Sequence, residues 1–228
     1  MQKPLILVTN DDGITAPGLR ALVRYMKEIG EVVVVAPDSP QSGMGHAITL
    51  DNTLYSKKVT IDLENGGHEE YSCSGTPADC VKLALQEILR RKPDLCVSGI
   101  NHGSNSSINV IYSGTMSAAI EAGIEGVPAI GFSLCDYSWE ANFKSAETEV
   151  KKIVEQALSN VIPKGVVLNV NIPKTKGEGV KGIKVCRQAR ANWKEKFDKR
   201  TNPMGKDYYW LTCEFELLDK GEDTDEWA

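Results

Sequence analysis

An apolar, β-branched run, Leu5-Ile-Leu-Val-Thr9, stops abruptly at Asn10, Asp11 and Asp12, and Gly13 follows. A buried strand that ends on two adjacent carboxylates is costly, because each charge resists ionisation of the other. A hard divalent cation with oxygen ligands compensates such a pair most simply. The alternative is a solvated turn with Asp at capping positions. Gly13 permits the tight backbone exit that either arrangement needs.

The pattern that follows alternates strands with helices. Pro17 opens a helix with Leu19, Leu22, Val23, Met26 and Ile29 on one stripe, and Gly30 ends it. Glu31–Ala36 is a Val-rich strand of the kind buried on both faces. Alternation predicts strands at Ala47–Tyr55 and at Val59–Leu63, the latter paired with Glu69–Cys73 across Glu-Asn-Gly-Gly. Thr76-Pro77 opens a second helix offering Val81, Leu83, Leu85, Ile88 and Leu89 for burial. Strands are expected at Asp94–Ile100, Val127–Leu134 and Val166–Ile172, with helices at Thr115–Ala122 and Ser145–Val161. The expected fold class is α/β, a three-layer α/β/α core with a mostly parallel sheet over residues 1–180. After about Lys181 the character changes. Ile183–Ala189 and Asp207–Leu218 are expected strands, with a polar stretch, Trp193–Lys206, between them and a turn at Asn202-Pro203 and Gly205. An aromatic-rich hairpin over 181–228 is either an oligomerisation arm or a simple edge hairpin.

Three polar loops leave the carboxyl ends of the expected parallel strands, the edge where open α/β sheets bind ligands: Asn10–Pro17, Pro37–His46 and Asn101–Thr115. Ser42 offers a hydroxyl in Gln-Ser-Gly-Met-Gly-His, and Asn101 offers a neutral amide oxygen. With Asp11 and Asp12 they make an all-oxygen set suited to Mg²⁺, Mn²⁺ or Ca²⁺. Ser113, Gly114 and Thr115 precede a helix whose first N–H groups lack partners, a ready anion site or a plain N-cap. Asn10, Gly43, Gly103 and Asn105 are placed to approach the same anion. His46 is a candidate proton donor to a leaving alkoxide, or a loop histidine that only hydrogen-bonds.

Composition bounds the partners. The net charge of −5 argues against non-specific binding of a nucleic-acid polymer. No segment has the roughly 18 continuous apolar residues of a membrane span. The first strand begins at once, which leaves no room for a signal peptide. Six cysteines with no C-x-x-C pair read as thiols of a reducing cytoplasm.

Taken together, Asn-Asp-Asp-Gly-Ile at 10–14, Ala-Pro-Asp at 36–38, Gln-Ser-Gly-Met-Gly-His at 41–46, Gly-Thr-Pro-Ala-Asp-Cys-Val at 75–81, Ser-Gly-Ile-Asn-His-Gly-Ser-Asn at 98–105 and Tyr-Ser-Gly-Thr at 112–115 resemble the SurE (survival protein E) family of metal-dependent 5′/3′-nucleotidases. The resemblance spans the first 135 or so residues. It implies a Rossmann-like core, hydrolysis of nucleoside monophosphates, and one divalent cation, Mg²⁺ or Mn²⁺, held by Asp11, Asp12, Ser42 and Asn101. It also implies homodimers or homotetramers built partly through C-terminal arms. Ser107 and Asn109 stand where the family often has Gly and Asp. A phosphatase that forms an aspartyl-phosphate is disfavoured, since the nucleophile position would fall on Asn10. A receiver-like module is disfavoured because the later strand ends in Asn101, not Asp. A catalytically silent metal and nucleotide binder is the remaining alternative.

Overall fold

The structure is a computed structural model that describes residues 3–61, 67–138, 140–160, 162–175 and 179–227. The chain forms two compact units. One runs to Asn105 and resumes over Asn109–Gly182; the other joins Ser106–Ile108 to the residues from Ile183 on.

The larger unit follows β1 (Leu5–Thr9), α1 (Pro17–Ile29), β2 (Glu31–Pro37), β3 (Ser56–Val59), β4 (Glu69–Cys73), α2 (Pro77–Leu83), β5 (Leu95–His102), α3 (Gly114–Ile124), β6 (Ala129–Cys135), α4 (Glu147–Ser159) and β7 (Val167–Pro173). The sheet order is β3-β4-β2-β1-β5-β6-β7. Every pairing is parallel except β3 with β4 at one edge.

Two-residue periodicity explains the layers. Ile6 and Val8 of β1, with Val32 and Val34 of β2, pack under α1 and α4 through Leu19, Leu22, Met26, Val150 and Val154. Their neighbours Leu5, Leu7, Val33 and Val35 face the other way, onto Cys80 and Val81 of α2 and Met116, Ala118, Ala119 and Ala122 of α3. All five residues of β1 are buried. Full burial of each large aliphatic side chain is worth roughly 1.5–3 kcal/mol, so both faces hold β1 in place. The chain steps from β1 outward to β2 and later returns to the other side of β1 as β5. That reversal is a topological switch point, the place where open α/β sheets bind ligands, outside the carboxyl ends of the strands.

Two expected strands are absent. Ala47–Tyr55 has alternation but no ladder; Ile48 is 44% and Leu50 80% exposed. Its polar groups are bound by the start of α2 instead: Thr76 Oγ1 donates to the Ala47 carbonyl at 2.7 Å, and Thr49 donates its N–H and hydroxyl to Asp79 at 3.1 and 2.6 Å. The expected Val59–Leu63 strand begins earlier, at Ser56, and Asp62 and Leu63 lie outside the described residues. The second helix continues past Leu83 as a π-helical turn, Ala84–Ile88.

In the smaller unit, Ile183–Ala189 is not a strand. Arg187 makes one isolated bridge with Thr224, and its guanidinium pairs with Asp219 and Asp223. The stretch expected to be a polar connection, Trp193–Lys206, contains β8 (Ala191–Thr201), which pairs antiparallel along its whole length with β9 (Asp207–Leu217). Register puts Trp193, Phe197, Tyr209, Leu211 and Phe215 on one face. Trp193 meets Phe215 edge to face at 5.2 Å, and Phe197 meets Tyr209 at 6.4 Å. Among the described residues no helix is long and apolar enough to cross a membrane.

Candidate active site

Asp11 sits at the tip of β1 and is 4% exposed. Its carboxylate accepts from the Thr115 hydroxyl, and its carbonyl accepts from Gln41 N–H at 2.7 Å. Gly114, the first residue of α3, lies so close that a Cβ there would stand 2.5 Å from Asp11 Cβ. The N-terminus of α3 is therefore seated on Asp11. Ser113 caps the helix by accepting from Met116 N–H at 3.0 Å.

Asp12 is half-buried beside His102, whose imidazole and backbone N–H both favour the ionised form. Burial outweighs them, and the Asp12 carboxyl lies above its ordinary range. Asp11 is pushed up to about 6, first by burial and then by the charge of Asp12, against the opposing hydrogen bonds from Thr115. Asn101 lies next to His102 at the end of β5. Its amide nitrogen donates to the carbonyls of His102 and Gly103 at 3.1 and 2.9 Å, which leaves Oδ1 as an acceptor. Ser42 is exposed, one residue beyond the Gln41–Asp11 bond. Gly45 N–H donates to the Tyr112 carbonyl at 3.2 Å, so the 41–46 loop is tied to the segment that starts α3.

These residues fit a hard cation. The two carboxylates adjoin, and burial together with the Asp12 charge raises Asp11. Asn10 donates its amide to Gly13 at 3.0 Å, but among the described residues its buried Oδ1 has no partner, and neither have the buried Thr9 and Ser98 hydroxyls. Orphaned buried oxygens beside uncompensated carboxylates are what a cation with its waters satisfies. Among the described residues no three His, Cys, Asp or Glu side chains form a metal cluster. The neutral oxygens on the same edge are those of Ser42 and Asn101.

Other expected positions have different surroundings. Asn105 gives its amide to Ser133 at 2.9 Å and its backbone N–H to Asn171 at 2.8 Å, inside the sheet edge. Gly43 is exposed in the loop, and Gly103 is buried under Tyr137. His46 turns Nε2 to Glu121 at 2.7 Å, and Glu121 also accepts from Lys82 at 2.6 Å. Burial raises Glu121, yet the Lys82 and His46 bonds prevail and hold it below the usual range. Glu121 is eight residues past the Ser113 cap, about 12 Å along the helix axis. The Glu121 bond ties His46 to α3, while Gly45 beside it bonds to the segment that starts the helix.

Sequence reasoning passed over Asp79, Glu121 and Tyr137. Asp79 was readable: Thr76-Pro-Ala-Asp79 is a capping-box pattern, and its reciprocal bonds are present at 3.2 and 2.9 Å. Glu121, an acid within an Ala-rich helix, was a weaker signal. Tyr137 gave none.

Fold and site define a Rossmann-like α/β protein with an acidic, oxygen-rich centre at its topological switch point. The family model "Survival protein SurE" matches residues 6–195. The 5′-nucleotidase SurE of Christiangramia forsetii is 71% identical over 227 residues, covering 100% of this chain and 87% of the relative. That of Phocaeicola vulgatus is 44% identical over 228 residues, again with 100% and 87% covered. The crystal structure of SurE from Aquifex aeolicus matches with a TM-score of 0.82 at 42% identity, covering 99% of this chain and 88% of that one. The chain belongs to the SurE family.

Proposed function

We propose that the protein is a metal-dependent phosphomonoesterase that hydrolyses nucleoside 5′-monophosphates, and also 3′-monophosphates, to nucleoside and phosphate. The relatives' shared name, 5′-nucleotidase SurE, supports the substrate class. The observation that carries the reading is the acid pair at the β1–β5 switch point with the N-terminus of α3 seated against it. Asp11, Asp12, Ser42 and Asn101 would hold one Mg²⁺ or Mn²⁺. When bound, the cation supplies Lewis-acid polarisation of a phosphoryl oxygen and lowers the pKa of water.

The chain's own groups do the rest by position. Thr115 is committed to Asp11 and fixes that carboxylate. The Gly114 N–H and the Ser113 hydroxyl hydrogen remain to bind phosphate oxygens at the positive end of the helix dipole. Asn10 and Gly43 are further candidates for phosphate contact, and Asn105 steadies the loop through Ser133. Asp12, the more accessible carboxylate, orients the attacking water. Electrostatic positioning of this kind is the main source of rate in phosphoryl transfer.

The test is phosphate release from 5′- and 3′-nucleoside monophosphates in Mg²⁺, Mn²⁺ or EDTA, with Asp12→Asn alongside. Turnover is expected to require metal and to fall at least about 100-fold in the variant. Folded protein that is silent with every metal would overturn the reading.

The β8–β9 hairpin supports a homodimer or homotetramer. Two-stranded ribbons are marginal in water, and this one leaves Phe197, Tyr209, Trp210 and Leu211 more than half exposed. Light scattering coupled to size exclusion should give a multiple of 24.9 kDa, and Phe197→Lys with Leu211→Lys should give the monomer mass. A monomeric native protein would refute the arm. The six thiols, none in a disulfide among the described residues, support a cytoplasmic setting.

A further inference from the structure

Tyr137 stands two residues beyond β6, on the sheet edge that carries Asp11 and Asn101, and β6 is the hydrogen-bonded neighbour of β5. Its ring lies against Gly103. A Cβ at that glycine would come within 2.1 Å of Cε1 and 2.6 Å of Cδ1, and the residue holds φ +88°. The Tyr137 hydroxyl accepts from Ser104 N–H at 3.3 Å. Asp136 fixes the same turn by accepting from Ser138 N–H at 3.0 Å and from Lys174 at 2.9 Å. The ring is therefore held from below and at its tip, yet Tyr137 is 75% exposed. Tyr137 is positioned by these contacts and its outer face is left open.

The surface against which it is held belongs to the site. Gly103 and Ser104 continue directly from Asn101 and His102, and His102 faces Asp12. Gly103 is two residues from Asn101, at most about 7 Å of chain. A phosphoester bound beside the acid pair would carry its substituent within reach of this edge, because Gly103 and Ser104 under the Tyr137 ring continue from Asn101. A nucleobase presents a flat π-face there, and base–aromatic stacking favours any base over none.

We propose that Tyr137 is the nucleobase platform of this site, stacking the base of a nucleoside monophosphate without reading its edge. The proposal rests on the nucleotidase reading and deepens it. It assigns Tyr137 to substrate affinity, and it accounts for Gly103 as the residue that lets the ring lie flat on the loop.

The test compares a nucleoside 5′-monophosphate with ribose 5-phosphate, which has the same phosphoester and no base. Tyr137→Leu keeps apolar bulk on Gly103 and removes the π-face. KM for the nucleotide is expected to rise about tenfold, with kcat within twofold and ribose 5-phosphate unaffected. Tyr137→Phe should restore nucleotide KM to within about twofold. Equal changes on both substrates, or no change on the nucleotide, would overturn the platform. So would an altered oligomeric mass with an unchanged KM ratio, which would make the ring an interface residue. Wild-type protein that hydrolyses ribose 5-phosphate but no nucleotide would instead refute the nucleotidase reading. If Tyr137→Leu does not fold, Tyr137→Trp decides: the larger ring should lower nucleotide KM, and an unchanged or higher value would overturn the proposal.

Discussion

Asp11→Asn is expected to abolish metal-dependent turnover, by roughly 10³-fold, and to make the metal-free protein more stable at pH 8. The two effects have one cause. Burial and the neighbouring Asp12 charge raise the Asp11 carboxyl from 3.8 to about 6. Between those values the folded state holds a proton that the unfolded state has lost. The contribution of Asp11 to stability is therefore intact below about pH 4 and declines as pH rises towards 6. Above that, the ionised carboxylate opposes folding by roughly 3 kcal/mol, and asparagine does not. Asn keeps an oxygen for the Thr115 hydroxyl, so the local hydrogen bond survives. A bound divalent cation reverses the order. At 100 times its Kd a ligand of the folded state adds about 2.7 kcal/mol, which the wild type gains and the variant does not. Urea unfolding in EDTA at pH 4, 5, 6 and 8, then repeated in Mn²⁺, reads every part of this. A variant less stable than wild type at pH 8 in EDTA would show that the acid pair is already compensated within the protein.

The core was legible because its signals are local and redundant. β1, α1, β2, β5 and α3 each combine a buried apolar pattern with punctuation by Pro, Gly or a cap, and tertiary packing reinforces both. The tip of β1 stood out for the opposite reason, since adjacent carboxylates at the end of a buried strand are costly to fold and single out a candidate site. Elsewhere the same rules misled. Ala47–Tyr55 alternates like a strand, but alternation cannot show that Thr76 and Asp79, about thirty residues on, claim its backbone and side-chain groups first. Trp193–Thr201 reads as polar because Lys194, Lys196, Asp198 and Arg200 share one face of a ribbon exposed on both sides. Burial, which normally makes strand periodicity visible, is missing there. His46 shows the limit for chemistry: residue type suggested a proton donor or a loop histidine, and its Glu121 partner, 75 residues on, had no local signal.

Gly114→Ala should lower kcat/KM at least about 100-fold while changing global stability by no more than about 1–2 kcal/mol. Alanine at the start of a helix is otherwise favourable, by up to about 1 kcal/mol over glycine. Here the new Cβ would meet Asp11 Cβ at 2.5 Å and Oδ2 at 2.9 Å, distances that no packed structure tolerates. One partner has to move. Asp11 is held by the Thr115 hydroxyl and, through its carbonyl, by Gln41; α3 is held by Met116, Ala118, Ala119 and Ala122 in the core. The side chain of Asp11 is the softer of the two, so the displacement falls on the proposed metal ligand and not on the helix. A misplacement of about 1 Å at a catalytic group costs about 10²-fold in rate. Metal titration by calorimetry should show weakened binding, and thermal melting should show a folded protein. The double variant Asp11→Asn with Gly114→Ala should be barely worse than Asp11→Asn alone, because both changes strike the same carboxylate. Independent, multiplying losses would mean that Gly114 serves the phosphate through its own N–H and not through Asp11. Activity within threefold of wild type would mean that the α3 terminus yields freely, and with it the claim that this helix sets the geometry of the centre.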